Sequence, residues 1–427
     1  MIPSLTWAFD KPSFLTGKLG LQQYSPRSLV TQGQGSSIQS SGYLWLKLNP
    51  EITSDFNFKS NILTTLFYNS VELKKDFDLK ADPREAYLQY SPTASTEIKL
   101  GKFVETWGKA DLVNPTDFLT ARDLRFFSED SELRRLGGYG ALMRFTPNEG
   151  LSPFQWSAVF FATGPVNQQL IPDGFSINGI TLQIEPQGYF VASRNFEGAI
   201  KGQYTQSNWD ASFSFFRGRD RFSEFVYNTV TSRIDLLNPR VSALGVDASV
   251  SFQTWVLKFE GAYYDSEFGA LGMQGAALTQ PNHFDLVVGA ERAFWTDFRV
   301  LAQVLLRHHT QWVDPKNTYQ NINPITQNLV RAVSEKNAIL KNYHRRTRPA
   351  VSLTLIYENE NSQLGFDVSA IGNFLGGDTV YRPKVSYKAF ENAKIHLGAE
   401  VYSGSRNETF GILKDFSNIF AEAQYLF

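Results

Sequence analysis

The sequence predicts an all-β chain, folded as a transmembrane antiparallel up-and-down barrel of about 18 strands. Three observations predict this fold class. Apolar and polar residues alternate with a period of two over segments of roughly ten residues, the length that a tilted strand needs to cross a bilayer. Aromatic residues gather toward the ends of the apolar faces, as they do at membrane interfaces. Short and long connections also follow one another in turn along the chain.

The alternation is clear at Trp255–Tyr263, where Trp255, Leu257 and Phe259 alternate with Val256, Lys258 and Glu260. Soluble proteins usually have strands of about five or six residues, which is roughly half the length seen here. The second face carries Lys, Glu, Asp, Gln, Ser and Gly, which suits a water-filled interior. An open sheet edge cannot face lipid, so the strands must close into a barrel.

Taken in order, eighteen segments have this pattern, and 16 strands remain the alternative if a weak pair such as 379–388 is misread. The connections after every second strand are short, as in TQSN, WTD, ENEN and AFEN, whereas most of the intervening ones are long. The segments are 12–24, 39–49, 55–68, 83–91, 95–105, 138–146, 154–164, 193–206, 208–217, 241–253, 254–265, 283–293, 297–312, 346–358, 361–373, 379–388, 393–404 and 417–427. We expect one domain over residues 1–427.

Composition excludes several classes of protein. The 41 Lys and Arg residues balance 42 Asp and Glu residues, so the chain lacks the basic excess of a nucleic-acid binder. It has no cysteine, which excludes disulfides, thiolate nucleophiles and Cys-ligated zinc. The adjacent His308 and His309 point to opposite faces of a strand and cannot bind one metal together. We therefore expect no metal, no cofactor and no enzymatic activity.

The N-terminal segment 1–12 has no basic region followed by an apolar one, so it does not resemble a signal peptide. Because the strand pattern predicts a barrel in a bacterial outer membrane, we expect that a leader has already been removed. We therefore expect outer-membrane lipid to surround the barrel.

The last ten residues alternate and end on Tyr425-Leu426-Phe427. This ending resembles the C-terminal strand of bacterial outer-membrane proteins, which the barrel-assembly machinery recognises. The resemblance implies that Tyr425 and Phe427 form an assembly signal. The alternative interpretation is an ordinary edge strand that ends on an aromatic residue.

A second resemblance lies in the connection that follows the fifth segment. Leu100-Gly101-Lys102, Trp107-Gly108, Asn114-Pro115-Thr116-Asp117 and Leu124-Arg125 resemble the motif of a family of large proteobacterial outer-membrane barrels. That family is related to alginate-export and substrate-specific porins, and the match runs from Leu100 to Tyr139. The resemblance implies a porin-like barrel and does not identify a solute.

The same connection, Thr106–Gly137, has the composition of a pore constriction. It carries six acidic and five basic residues, and opposed charges in a narrow wet pore filter solutes by charge and orientation. Its apolar residues favour folding into the barrel over exposure on the cell surface, although a solvated surface loop is the alternative. The predicted constriction residues are Lys109, Asp111, Asp117, Arg122, Asp123, Arg125, Arg134 and Arg135.

The alternation also predicts which charged residues on the strands line the lumen. They are Lys201, Lys258, Glu260, Arg299, Arg307 and Glu400. Neighbouring strands can pair such charges, so mutual neutralisation is the alternative to a role in transport. The charges on the strands therefore do not decide the ion selectivity of the channel.

Three functions are consistent with such a barrel. The first is a channel for small hydrophilic solutes that are not yet identified. The second is a plugged export or scaffold barrel that acts with a periplasmic or surface partner. The third is a channel for hydrophobic compounds, for which the apolar residues of Phe154–Phe161 and Phe374-Leu375 are the supporting feature. A homo-oligomer is also consistent with the sequence.

Overall fold

The structure is a computed structural model of the 427-residue chain. It describes residues 15–26, 39–69, 76–124, 131–147, 153–168, 176–177, 180–181, 196–228, 233–266, 275–276, 280–315, 324–359 and 361–427.

Eighteen long antiparallel strands form one closed barrel, which confirms the predicted fold class. The strands are β1 (Leu15–Pro26), β2 (Gln39–Leu48), β3 (Phe56–Asn69), β4 (Asp76–Thr93), β5 (Thr96–Phe103), β6 (Gly138–Phe145), β7 (Phe154–Thr163), β8 (Glu197–Thr205), β9 (Trp209–Arg219), β10 (Arg240–Phe252), β11 (Trp255–Ser266), β12 (His283–Phe294), β13 (Phe298–His309), β14 (Thr347–Asn359), β15 (Leu364–Asn373), β16 (Asp378–Phe390), β17 (Ala393–Ser403) and β18 (Asn418–Leu426).

The barrel closes where β18 pairs with β1, in a register that runs from Lys18 opposite Leu426 to Pro26 opposite Asn418. Beyond this ladder, the N–H of Gly17 donates to the carbonyl of Phe427 at 3.0 Å. The N–H of Phe427 donates back to Gly17 at 3.1 Å. The weak segment 379–388 forms β16, which pairs with both neighbours, so the 16-strand alternative is wrong.

The two faces of the wall differ in the predicted way. On β11, Leu257 and Phe259 are exposed on the outward face, whereas Glu260 is fully buried on the inward face. The other strands repeat this pattern, with large apolar side chains exposed outward. The outward face is thus suited to lipid and the inward face to a polar interior.

Long and short connections leave opposite ends of the barrel, which we call the long-loop rim and the short-turn rim. Two residues join β4 to β5, β10 to β11 and β16 to β17 at the short-turn rim, where the short strand Glu51–Thr53 also lies. The turn of four residues between β15 and β16 is short although it lies at the long-loop rim. The long loops hold the remaining elements, which are the strands Ala121–Arg122, Arg135–Leu136, Ser176–Ile177, Ile180–Thr181, Glu224–Asn228, Arg233–Leu237 and Gly275–Ala276, the helices α1 (Ser131–Arg134) and α2 (Pro324–Leu340), and the 3-10 helix Gly411–Phe416.

Helix α2 is the main departure from the all-β chain that the sequence predicts. It has 17 residues and lies in the loop between β13 and β14. Val330, Val333 and Asn337 recur at helical spacing, and all three are almost fully buried. In the described part of the chain, no helix has the length and apolarity required to span a membrane.

Candidate functional site

The described parts of the loop between β5 and β6, residues 104–124 and 131–137, pack against the inward face of the barrel wall. Trp107, Phe118 and Leu119 are each at most 3% exposed. They form one cluster with inward side chains of β5 to β11, where Phe118 stacks on Phe216 of β9 at 5.9 Å between ring centroids. Apolar burial therefore stabilises the loop against the inner wall.

Glu260 on β11 fixes the middle of this loop. One carboxylate oxygen accepts the backbone N–H groups of Lys109 and Ala110. The other accepts the N–H of Thr116 at 3.2 Å and its hydroxyl at 2.9 Å. Nearby, the hydroxyl of Tyr264 donates to the carbonyl of Pro115 at 2.6 Å. A single buried side chain of the wall thus satisfies four donors of the loop, each of which is costly to leave without a partner.

Charged contacts join the same loop to the same wall. The ammonium of Lys109 lies 3.2 Å from Asp247 on β10 and also contacts Asp210 on β9. Burial lowers the pKa of Lys109, and the charge of Asp247 opposes this effect. Asp111 accepts a hydrogen bond from Lys258 at 2.7 Å. The predicted residues Lys109, Asp111, Lys258 and Glu260 are therefore brought together.

Of two further predicted acidic residues, Asp117 serves the loop itself and Asp123 joins the loop to the barrel wall. Asp117 accepts the backbone N–H groups of Trp107 and Thr120, both at 3.3 Å. Burial raises the pKa of Asp117, although these hydrogen bonds oppose the rise. Asp123 is buried beside Arg84 of β4 at 3.5 Å. Both side chains hold the loop in place.

Three of the four predicted arginines are described. Arg122 and Arg135 lie opposite each other in a two-residue ladder, and both line a cavity of about 580 Å³. Burial lowers the pKa of Arg122, which Asp117 partly offsets. Arg134 lines a separate inward pocket of about 140 Å³ that also contains Arg382 and Glu400. Arg125 lies outside the described residues.

The larger cavity has walls from both the barrel interior and the long-loop rim. Asp111 to Pro115 form part of its wall, and Leu340 to Asn342, at the end of α2, form another part. Its acidic residues already have partners, since Asp285 binds Arg307 at 2.7 Å and Asp220 binds Lys341 at 2.6 Å. Within the described residues, neither Arg122 nor Arg135 forms an ion pair, so positive charge remains available in this cavity.

The remaining predicted lumen residues form pairs along the wall. Lys201 lies 3.7 Å from Asp247, and Arg299 lies 3.8 Å from Glu291. Glu400 accepts a hydrogen bond from Arg382 at 2.7 Å. These pairs agree with the alternative of mutual neutralisation.

The sequence analysis did not find a packed unit at the long-loop rim, which we call the loop cap. It consists of α2 and the hairpin Glu224–Asn228 with Arg233–Leu237, and its core is formed by Phe225, Val226, Tyr227, Ile234, Val330 and Val333. Asn337 accepts the N–H of Phe225 at 2.8 Å and donates to its carbonyl at 2.7 Å. The helical spacing of the apolar residues in 324–340 is the signal from which this unit was predictable.

Ion pairs attach the loop cap to its surroundings. The ammonium of Lys341 lies 2.6 Å from both Asp220 and Glu224. Burial opposes the charged form of Lys341, but these two carboxylates raise its pKa. After α2, Glu408 of the β17–β18 loop accepts hydrogen bonds from His344 in the segment before β14, at 2.9 Å, and from the buried Arg348 of β14, at 2.7 Å.

No metal site is found in the described part of the chain. Among those residues, no group of three His, Asp or Glu side chains is placed to hold a metal ion. The site is instead a polar cavity between a charged loop and a capped rim.

Comparison with solved structures identifies similar barrels at low sequence identity. OccK5 (OpdH) of Pseudomonas aeruginosa is 12% identical, with 96% of this chain and 97% of that chain covered and a TM-score of 0.53. OccAB1 of Acinetobacter baumannii is 10% identical, with 97% and 96% covered and a TM-score of 0.55. No protein-family model and no curated protein sequence matches the chain. At this level of identity, the comparisons establish a shared barrel fold over almost the whole chain.

Proposed function

We propose that the chain is an outer-membrane channel that passes small hydrophilic solutes through a lumen narrowed by the β5–β6 loop. The observation that carries the proposal is the attachment of this loop to the inward face of β9, β10 and β11, beside a polar cavity of about 580 Å³. The similar barrels are outer-membrane porins, which supports the same location and class for this chain.

In this proposal the constriction is formed by the loop residues that sequence analysis selected. Lys109 and Asp111 are tied to the wall, whereas Arg122 and Arg135 face the open cavity. Two guanidinium groups in a confined space favour anions over cations and orient polar solutes. The relation to alginate-export barrels rests on the Leu100–Tyr139 resemblance and stays a prediction.

Permeation through proteoliposomes tests the channel function. The purified barrel is reconstituted into phospholipid vesicles, and uptake of neutral, anionic and cationic solutes of increasing size is compared with that of empty vesicles. The proposal expects uptake that falls with solute size and, at equal size, favours anions. Uptake no faster than in empty vesicles would contradict the channel.

The second candidate is a plugged barrel that acts with a partner. It is favoured by the loop cap, because α2 and the hairpin pack into a core of their own at the long-loop rim. A plugged barrel stays impermeable in the same assay.

We also propose that the assembly machinery recognises Tyr425 and Phe427. Contacts with other copies of the chain or with periplasmic proteins belong to the same proposal.

A further inference from the structure

Two arginines line the cavity of about 580 Å³ from the same face of a short ladder. Arg122 and Arg135 lie directly opposite each other there, and opposed side chains of an antiparallel ladder leave one face with their Cβ atoms about 4.5–5.5 Å apart. Among the described residues, neither guanidinium group takes part in an ion pair, and the buried Nε of Arg135 has no hydrogen-bond partner. The two positive charges are therefore available to one ligand.

The described acidic residues that line the same cavity are engaged elsewhere. Asp117 lies beside Arg122, but its carboxylate accepts the N–H groups of Trp107 and Thr120, both at 3.3 Å. The other three are Asp111, Asp220 and Asp285, whose carboxylates bind Lys258 at 2.7 Å, Lys341 at 2.6 Å and Arg307 at 2.7 Å. None of these four carboxylates forms an ion pair with either arginine of the ladder.

Backbone hydrogen bonds hold the two arginines in position. The N–H of Arg122 donates to the side-chain oxygen of Asn167 at 2.7 Å, and its carbonyl accepts the N–H of Gln168 at 3.0 Å. In the facing segment, the carbonyl of Arg134 accepts the N–H of Asp123 at 2.7 Å. Because the backbone at both arginines is fixed in advance, binding of a ligand requires little further ordering of the chain.

Apolar side chains form another part of the cavity wall. Val113, Phe222 and Leu340 line it and are 36%, 47% and 37% exposed. Phe222 is connected to the arginines, because the N–H of Asn167, whose side chain binds Arg122, donates to the carbonyl of the residue before Phe222 at 2.8 Å. Exposed apolar surface within a polar cavity favours a solute that carries an apolar group beside its charge.

We propose that this cavity binds organic phosphate monoesters, with the phosphate between Arg122 and Arg135 and the organic group against the apolar side chains around Phe222. A phosphate monoester carries a charge of about −1.5 to −2 at neutral pH, so it compensates both guanidinium groups, whereas a monocarboxylate compensates one. Each guanidinium group can donate paired hydrogen bonds to phosphate oxygens. The inference names the solute class of the proposed channel and therefore rests on that function.

Isothermal titration calorimetry of the purified barrel in detergent tests the site. The probes are phenyl phosphate, benzoate, inorganic phosphate and succinate, each titrated under the same conditions. We expect phenyl phosphate to bind roughly tenfold more tightly than each of the other three, since it alone supplies both a phosphate and an apolar group.

The phosphate end of the site is tested by removing its charge. Replacing Arg122 and Arg135 with Gln is expected to weaken the binding of phenyl phosphate roughly tenfold or more, because charge-assisted hydrogen bonds are lost. Arg331→Gln with Arg406→Gln is the matched control, since it removes the same charge from exposed loop positions and should have no effect.

The apolar end is tested by a separate variant. Phe222→Ala is expected to weaken the binding of phenyl phosphate severalfold and to leave that of inorganic phosphate unchanged. Phe374→Ala is the matched control and should change neither, since Phe374 is 63% exposed in the turn between β15 and β16 and does not line the cavity.

Equal affinity of the unaltered barrel for phenyl phosphate and benzoate would overturn the proposal, and so would tighter binding of succinate or unchanged affinity in the arginine variant. Unchanged affinity in Phe222→Ala would overturn the placement of the organic group. Heat-dependent gel mobility identifies folded variants, and the comparison of probes on the unaltered barrel decides the question if the arginine variant does not fold.

Binding in detergent requires no transport, so the two proposals fail separately. A barrel that binds phenyl phosphate but passes no solute would refute the channel and keep the site. A barrel that passes solutes without binding phenyl phosphate would refute only the phosphate site.

Discussion

Replacing Glu260 with Ala should release the β5–β6 loop from the barrel wall. The variant leaves the N–H groups of Lys109, Ala110 and Thr116, and the Thr116 hydroxyl, without their acceptor. At roughly 1 kcal/mol for each of these four donors, the attachment of the loop loses about 4 kcal/mol. The barrel ladder does not use this side chain, so the strands should remain folded.

Hydrogen exchange measures this loss directly. A change of about 4 kcal/mol corresponds to roughly 1000-fold faster exchange of the amides in the peptide that contains residues 107–117. Glu422→Ala is the matched control, because Glu422 is equally buried on the inward face and accepts the hydroxyl of Tyr43 at 2.7 Å. Equal exchange of this peptide in both variants would refute the role of Glu260.

Three further perturbations test other parts of the molecule. Asn337→Ala should expose α2 to proteolysis, since a buried N–H and C=O of the hairpin lose their partner at about 1–3 kcal/mol each, whereas the exposed Arg331→Ala should have little effect. Burial raises the pKa of Glu408, but hydrogen bonds from two arginines and His344 outweigh it and hold the value at about 2. Unfolded Glu has a pKa near 4.3, so the stability that Glu408 contributes is complete above about pH 4.3 and is lost as the pH falls toward 2, which proteolysis of the segment between α2 and β14 at stepped pH should detect. Burial lowers the pKa of His344, so the unfolded chain takes up a proton at this histidine before the folded chain does. The stability of the folded chain therefore begins to fall below about pH 6.5. Deleting Phe427 should reduce the yield of folded barrel in membranes, measured by heat-dependent gel mobility, and an unchanged yield would contradict the assembly signal.

The barrel was predictable because the membrane imposes a strict pattern on every strand. Each predicted segment overlaps one of the eighteen strands. The largest error is at β4, which begins at Asp76 and not at residue 83. Phe77 and Leu79 alternate there with Asp76, Asp78 and Lys80. Because three of these five residues are charged, the segment does not resemble a membrane-spanning strand.

The site was predictable only in part. Composition selected the β5–β6 loop, and its charged residues do meet inward side chains of the wall. The partners were not predictable, because Lys109 reaches Asp247 across more than a hundred residues of chain. The role of Glu260 was missed for the same reason, since its partners are backbone amides, which carry no sequence signal. Helix α2 was missed because its apolar face is short and lies within a polar loop.

Single-channel recording in planar bilayers tests the central claim most directly. We expect discrete conductance steps for the unaltered barrel and a preference for anions that comes from Arg122 and Arg135. In the Arg122→Ala, Arg135→Ala variant, the steps should increase in size and the reversal potential in a salt gradient should shift toward cation preference. A folded barrel that produces no steps, or a double variant with unchanged conductance and reversal potential, would contradict a channel narrowed by this loop.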